Sequence, residues 1–478
     1  MLLSKFPRAA AAVALAATLA ACDQGLTGIN EDPNAPREVS AQLLFPQGVT
    51  SVVGLLRGAG FDLELTSLWA QHYAKIQYTD EDWYNIRPGT IDTYWSSFYA
   101  GGLADFAEAI RQAEAAKEPN LIAPAKVMRS WTFGAMTDLW GDIPYSEASK
   151  GQENLTPKYD AQQDVYAGIL AELKESSDMI TADGTGYADA DLIYGGDMTK
   201  WKKFANSLRL RYAMRLSKAD PTKARSEIAA ALAAGVFTSN ADNAELQWPG
   251  DGTNDSPLYA NFRTRNDHRV SKTLVDILQG SSDPRLAVYA RPTQADATKY
   301  VGVPNGLKSP DATALGLTRT SRIGARFALR DAPSMLMDYA EVLFIQAEAA
   351  ARGWTTGNAA ALYAAAITAS MQRFGVTGSG ITSYLAQPSV AYNASTGLQQ
   401  IALQKWIALF GQGIEAWAEW RRTGVPNLQP GPAATIGMVA RRLRYPLSEQ
   451  SYNNTNLLAA IARQGADEYT TRIYIDKP

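Results

Sequence analysis

Tyr339-Ala340-Glu341-Val342-Leu343-Phe344-Ile345-Gln346-Ala347-Glu348-Ala349 is a largely apolar run, and small alanines stand at 347 and 350. After a Gly-containing turn the chain resumes with Ala359, Tyr363, Ala366, Ile367 and Ser370 at helical spacing. Two such segments predict a helix hairpin over Tyr339–Met371, with Ala347 and Ala350 letting the pair approach closely. Hairpins of this kind cannot bury their faces alone and must stack on others.

Working outward, the same 3.6-residue rhythm recurs. It appears at Leu65, Leu68, Trp69, His72 and Ile76; at Trp95, Phe98, Tyr99, Leu103, Phe106 and Ile110; and at Met128, Trp131, Phe133, Met136 and Leu139, before the stop signals Gly141 and Pro144. Val165 to Leu173 and Trp201 to Leu216 follow, the latter ended by Asp220-Pro221. Ile228 and Leu232 mark a shorter helix closed by Gly235. Ile401 to Trp420 reads as the last long helix, with Gly424 and Pro426 beyond it. Tyr339–Met371 resembles one tetratricopeptide unit, without the full pattern. Two segments break the rhythm, about 237–320 and 424–478, with short strands expected at Ala244–Gln247 and Thr471–Ile475. The expected fold is mainly α: a tetratricopeptide-like helix-hairpin solenoid packed against an irregular, loop-rich half with few short strands.

The chain has 478 residues, 46 % of them hydrophobic, and a net charge of −3. No excess of positive charge is present to grip a phosphate backbone, so nucleic acid is not an expected partner. A single cysteine excludes an internal disulfide framework and a cysteine zinc ribbon, and two histidines leave little for a zinc site. The only long apolar run is N-terminal, which excludes a polytopic membrane protein. There Lys5 and Arg8 precede the small apolar residues Ala9 to Ala17, and Leu19-Ala20-Ala21-Cys22 follows. Residues 1–21 read as a signal peptide. Leu-Ala-Ala-Cys resembles the bacterial lipobox, which implies a diacylglyceryl group on Cys22. Two or three acyl chains, at about 0.8 kcal/mol per buried methylene, hold a soluble body at a membrane. Residues 22–37 are polar and contain prolines, as a lipidated tether would, and residues 38–478 read as one domain.

No Gly-rich phosphate loop or Gly-x-Ser-x-Gly elbow is present, and no cofactor is expected. His72 lies on an apolar stripe and reads as a hydrogen-bonded core residue; His268 sits in the polar run Arg265-Asn266-Asp267-His268-Arg269. Carboxylates that a glycosidase would need in pairs include Asp80-Glu81-Asp82, Asp138, Asp142, Glu415 and Glu419. Glu415 and Glu419, at i and i+4 before Arg421-Arg422, read better as a structural network. Asp251, Asn254 and Asp255 loosely resemble a calcium loop but lack its ligand spacing. Two aromatic clusters belong to no helical stripe. Asp82-Trp83-Tyr84 lies in Thr79–Asn85, and Trp248 lies in Leu246–Gly252, with Asn254, Tyr259, Asn261 and Phe262 after it. Exposed rings beside amides and carboxylates suit a sugar, whose apolar face stacks while its hydroxyls are hydrogen-bonded. The expected ligand residues are Asp82, Trp83, Tyr84, Trp248, Asn254 and Tyr259.

Five motifs stand along the chain: Asn30-Glu31-Asp32-Pro33-Asn34; Trp140-Gly141-Asp142-Ile143-Pro144-Tyr145-Ser146-Glu147-Ala148; Gly196-Asp197 to Trp201 with Lys203 to Arg211; Tyr339 to Ala349; and Glu415 to Gly424 with Tyr445-Pro446 and Ser448-Glu449. Together they resemble the SusD/RagB family of nutrient-binding outer-membrane lipoproteins. The resemblance implies four tetratricopeptide-like units, an irregular ligand-facing half and no catalytic role. It also implies lipid-anchored display at the outer membrane, facing outward, and pairing with a TonB-dependent SusC-like β-barrel that the protein covers as a lid. Cargo in the family is usually glycan and in some members peptide, and its ligand residues vary, so none is carried over. The competing readings are an all-α glycoside hydrolase and a tetratricopeptide scaffold for a protein or peptide partner.

Overall fold

The apolar stripes become helices in the computed structural model, which describes residues 39–478. The expected signal segment, Cys22 and the expected tether lie outside the described residues. Helix α1 spans Ala41–Leu56, α2 Leu103–Ala116, α3 Pro119–Trp140, α4 Gln162–Met179, α5 Met198–Arg215 and α6 Pro221–Ala234. Helices α7 and α8, Tyr339–Ala351 and Ala359–Arg373, form the expected hairpin, and α9 and α10 span Gly397–Ala408 and Gly413–Thr423. From α2 to α6 each helix packs on the next; α7 packs on α8 and α9, and α5 joins the two groups through α7. Side chains close the open N–H groups at several starts: Asp197 before α5, Asp220 before α6, Asp338 before α7 and Asn358 before α8 each accept from a backbone N–H one turn on.

The core between the groups is rich in tryptophan. Trp69, Trp131, Trp140, Trp201, Trp406 and Trp417 are all fully buried. Charge is buried with them. Glu415 of α10 meets Arg57 at 3.3 Å, Arg211 at 3.2 Å and Arg215. Arg422 sits between Glu348 and Glu419, and Lys405 also meets Glu419. The structural network expected of Glu415 and Glu419 is therefore present.

Five local expectations fail. The stripe from Trp95 to Ile110 is split by non-helical backbone at Gly101, between helices at Pro88–Ser97 and Leu103–Ala116. The stripe from Leu65 to Ile76 is not one helix: helix ends at Trp69, Gln71 takes a φ of +55°, and Tyr73–Lys75 is strand β1. The helix expected from Ile401 to Trp420 is cut at Gly411, whose φ is +79°, leaving α9 and α10. Thr471–Ile475 forms turns and no strand. The segments 237–320 and 424–478 are less irregular than expected, holding helices at Lys272–Gly280 and Asn454–Gln464.

The strands are short and pair antiparallel in twos. β1 pairs with β5, His268–Val270; β2, Ile143–Pro144, with β3, Tyr159–Asp160; and β4, Ala244–Leu246, with β6, Ser334–Met337. In the first pair Tyr73 faces Val270, Ala74 faces Arg269 and Lys75 faces His268.

Candidate functional site

That register places the site. Leaving β1, Ile76 donates its N–H to the Asp267 carbonyl, and the chain then turns outward. Tyr78, at φ +51°, is 69 % exposed, and a single 3-10 turn follows over Asp80–Trp83. Beside the loop is a cleft of about 290 Å³ lined by Glu64, Lys75, Tyr78, Glu81, Tyr94 and Arg265, among others. The Arg265 guanidinium lies 5.5 Å from the centre of the Tyr78 ring. Lys75 pairs with Glu64 and Glu81 and lies 3.8 Å from Asp267. Burial pushes the Glu64 carboxyl up, but His268 and Lys75 outweigh it and hold it down to about 2.

Glu64, Asp267 and His268 bring ligand atoms within 4.8 Å of one another, a spacing that a divalent cation can bridge. The Lys75 ammonium already supplies positive charge there, so this donor set does not require a metal. The loosely calcium-like run is otherwise engaged. Asp251 accepts the N–H groups of Thr253 and Asn254 at 2.8 Å, and Asp255 pairs with Arg330 at 3.1 Å.

The expected ligand residues take different positions. Asp82 is 3 % exposed and belongs to the fold. Its carboxylate accepts from Lys75 N at 3.2 Å and Asn305 Nδ2 at 2.8 Å, and burial raises it to about 7. Its oxygens fasten the loop and do not face an open surface, which corrects the expectation that they meet a sugar hydroxyl. Tyr84 is 5 % exposed, and its ring centre lies 6.0 Å from that of Trp69. It is therefore a core residue, though its edge reaches a second hollow of about 620 Å³ shared with Ile91, Tyr445, Gln450 and Tyr469. Trp83 is half-buried: its carbonyl accepts from Thr435 N at 3.1 Å, and the Lys308 ammonium lies 4.4 Å from its ring centre. On the other loop, half-buried Trp248 donates its indole N–H to Ser334 Oγ at 2.9 Å. Asn254 is exposed, and half-buried Tyr259 has the Arg330 guanidinium 5.6 Å from its ring centre.

The Tyr78–Arg87 loop thus has a cleft on one side and a hollow on the other, with Asp82 pinning it between them. The model of the SusD-like family, described as starch-binding and associating with the outer membrane, matches residues 33–446.

The chain belongs to the SusD-like family.

Solved SusD-like and related structures share its fold. A chitin-binding protein is 31 % identical with a TM-score of 0.82, covering 92 % of this chain and 100 % of that one. A chitin-binding SusD homologue from Flavobacterium johnsoniae is 26 % identical with a TM-score of 0.80, covering 90 % and 98 %. A SusD homologue from Bacteroides uniformis is 25 % identical with a TM-score of 0.82, covering 92 % and 100 %. The comparison with curated proteins finds no match. In this SusD-like chain, the cleft beside the loop is lined by Tyr78, Glu64, Lys75 and Arg265, none of which is among the ligand residues expected from the sequence. Tyr78 immediately precedes the Thr79–Asn85 stretch, whereas Arg265 reaches the loop through the β1–β5 pairing.

Proposed function

We propose that the protein captures nutrient oligomers, glycans first, on the Tyr78–Arg87 loop and passes them to a TonB-dependent SusC-like β-barrel. In this reading it is not an enzyme. It is a lipoprotein held at the outer membrane through Cys22 and facing the exterior. The observation that carries the reading is the family match over residues 33–446, with chitin-binding proteins among the structural relatives.

The chemistry of the loop supports it. Tyr78 offers an exposed ring, Trp83 a partly covered one, and Arg265 and Glu81 offer a donor and an acceptor in the cleft beside Tyr78. With about 0.5–1.5 kcal/mol for each stacked ring and similar polar contributions, binding falls at about −4 to −8 kcal/mol, millimolar to micromolar. A tethered capture protein needs no more, because anchoring beside the barrel raises the effective concentration.

Most carboxylates named for the hydrolase alternative are already engaged: Glu81 meets Lys75, and Asp82 is buried and accepts from Asn305. Glu415 and Glu419 are enclosed by arginine and lysine, Asp138 meets Arg215, and Asp142 meets Arg463. A glycosidase needs two carboxyl groups facing one bond.

Affinity-gel retardation against a polysaccharide panel that includes soluble chitin tests the capture role. Retention by one glycan, weakened in Tyr78→Ala and Trp83→Ala, is expected. Retention by none removes glycan as the cargo and points to peptide. Cys22→Ser is expected to abolish radiolabelled palmitate incorporation and move the protein out of the membrane fraction; unchanged labelling would refute the anchor.

A further inference from the structure

Arg291 and Arg322 stand opposite each other. Ala290 and Ile323 form an antiparallel bridge, and beside it Arg291 N–H donates to the Arg322 carbonyl at 2.8 Å. Like charges placed directly across such a pair destabilise it. A third guanidinium belongs to the same group. Arg269 is fully buried in β5 and donates to Thr320 Oγ1 at 3.0 Å, to the carbonyls of Asn266, His268 and Leu317 at 2.9, 2.7 and 3.1 Å, and to Asn266 Oδ1 at 3.3 Å. Every one of these acceptors is neutral. Arg291 Nε donates only to the Ile323 carbonyl, at 3.1 Å. Among the described residues none of the three arginines forms an ion pair, and the Arg322 guanidinium has no hydrogen-bond partner. The acid nearest to hand, Asp267, is engaged by Arg265, whose Nε lies 3.0 Å from Oδ1.

The electrostatic consequence is visible in the group itself. Burial, and then the charge of Arg322, push Arg269 down to about 10, and the same two causes lower Arg291. Buried Arg211, Arg285 and Arg422 each pair with an acid, whereas buried Arg421 lies on the Trp417 ring instead. Three clustered cations without an acid leave a site that an anion would complete.

Arg291 and Arg322 line one narrow concavity with Arg265, His268, Phe262 and Ile323. At about 10 Å³ it admits the tip of one charged group and no sugar ring. Arg265 lines both this concavity and the Tyr78 cleft, so the two adjoin. Planar guanidiniums match the oxygen geometry of carboxylate and sulfate. We propose that Arg291 and Arg322, backed by Arg269, bind one anionic substituent, a sulfate or carboxylate group, on the oligomer received by the Tyr78 cleft. The link to the cleft rests on the reading under "Proposed function"; the anion site itself does not.

Two measurements on the purified full-length protein test this. The first is thermal unfolding in sodium sulfate against sodium chloride at equal ionic strength, for the wild type, Arg291→Gln and Arg322→Gln. Sulfate is expected to raise the wild-type midpoint by several degrees more than it raises either variant. In chloride, each variant is expected to be at least as stable as the wild type, because the opposed charge is gone. An equal sulfate gain in all three proteins, or a loss of stability in both variants in chloride, overturns the site. The second measurement is gel retardation by carboxymethyl chitin against uncharged glycol chitin at low salt. Several-fold stronger retention by the carboxylated polymer, lost in Arg322→Gln, is expected; equal retention overturns the preference. Sulfate stabilisation with retention of neither polymer keeps the arginine site and overturns its link to the cleft.

Discussion

Nε2 of His72 lies 3.0 Å from the Trp406 carbonyl oxygen inside the core, and burial lowers the imidazole to about 3, from an ordinary 6.5. Above pH 6.5 neither the folded nor the unfolded chain carries this proton. As the pH falls below 6.5 the unfolded chain takes it up and the folded chain does not, so stability drains away until about pH 3. The slope from this residue approaches about 1.4 kcal/mol per pH unit. His72→Gln is expected to flatten the decline of the urea midpoint between pH 6.5 and 4.5; an unchanged slope would show that His72 does not cause it. The role of His72 was legible in the sequence because its neighbours on the stripe were all large and apolar. Asp82 was not legible, since only the fold brings Asn305 to it. The same holds for Arg265: three-residue strands carry too little alternation to reveal their partner, so a polar run read for its histidine gave no sign of the arginine beside Tyr78.

Helices were legible where apolar spacing ran on to a clear stop residue, as in the α7–α8 hairpin and before Asp220 and Gly141. Gly411 was different. Apolar residues on both sides kept the rhythm, and nothing local required the left-handed backbone that separates α9 from α10. Contacts between helices are fixed by single small residues in the same hidden way. A Cβ added at Gly134 of α3 would lie 2.2 Å from the hydroxyl oxygen and 2.4 Å from Cζ of Tyr212 on α5. Tyr212 is buried and has no room to swing aside. Gly134→Ala is therefore expected to cost about 1–3 kcal/mol by overpacking. An unchanged denaturation midpoint would mean that α3 and α5 are not held this closely.

Across the whole molecule, Glu415 gathers arginines from distant parts of the chain, at 57, 211 and 215. Burial pushes its carboxyl up, but Arg211, Arg215 and Arg57 outweigh it and hold it down to about 2, from an ordinary 4.5. Its share of the stability is fully present above pH 4.5 and is lost as the pH falls toward 2. Glu415→Gln is expected to cost about 3–5 kcal/mol at neutral pH, because it leaves buried guanidiniums uncompensated. Urea unfolding measures this, and a loss below about 1 kcal/mol would show that Glu341 and Asp138 suffice for the arginines. The cluster also dictates an order of events in time. A chain growing from its N-terminus presents all three guanidiniums roughly two hundred residues before their shared carboxylate exists. Until then Arg211 and Arg215 have only Glu341 and Asp138 as acid partners, and among the described residues Arg57 has none. Contacts this far apart in sequence close slowly.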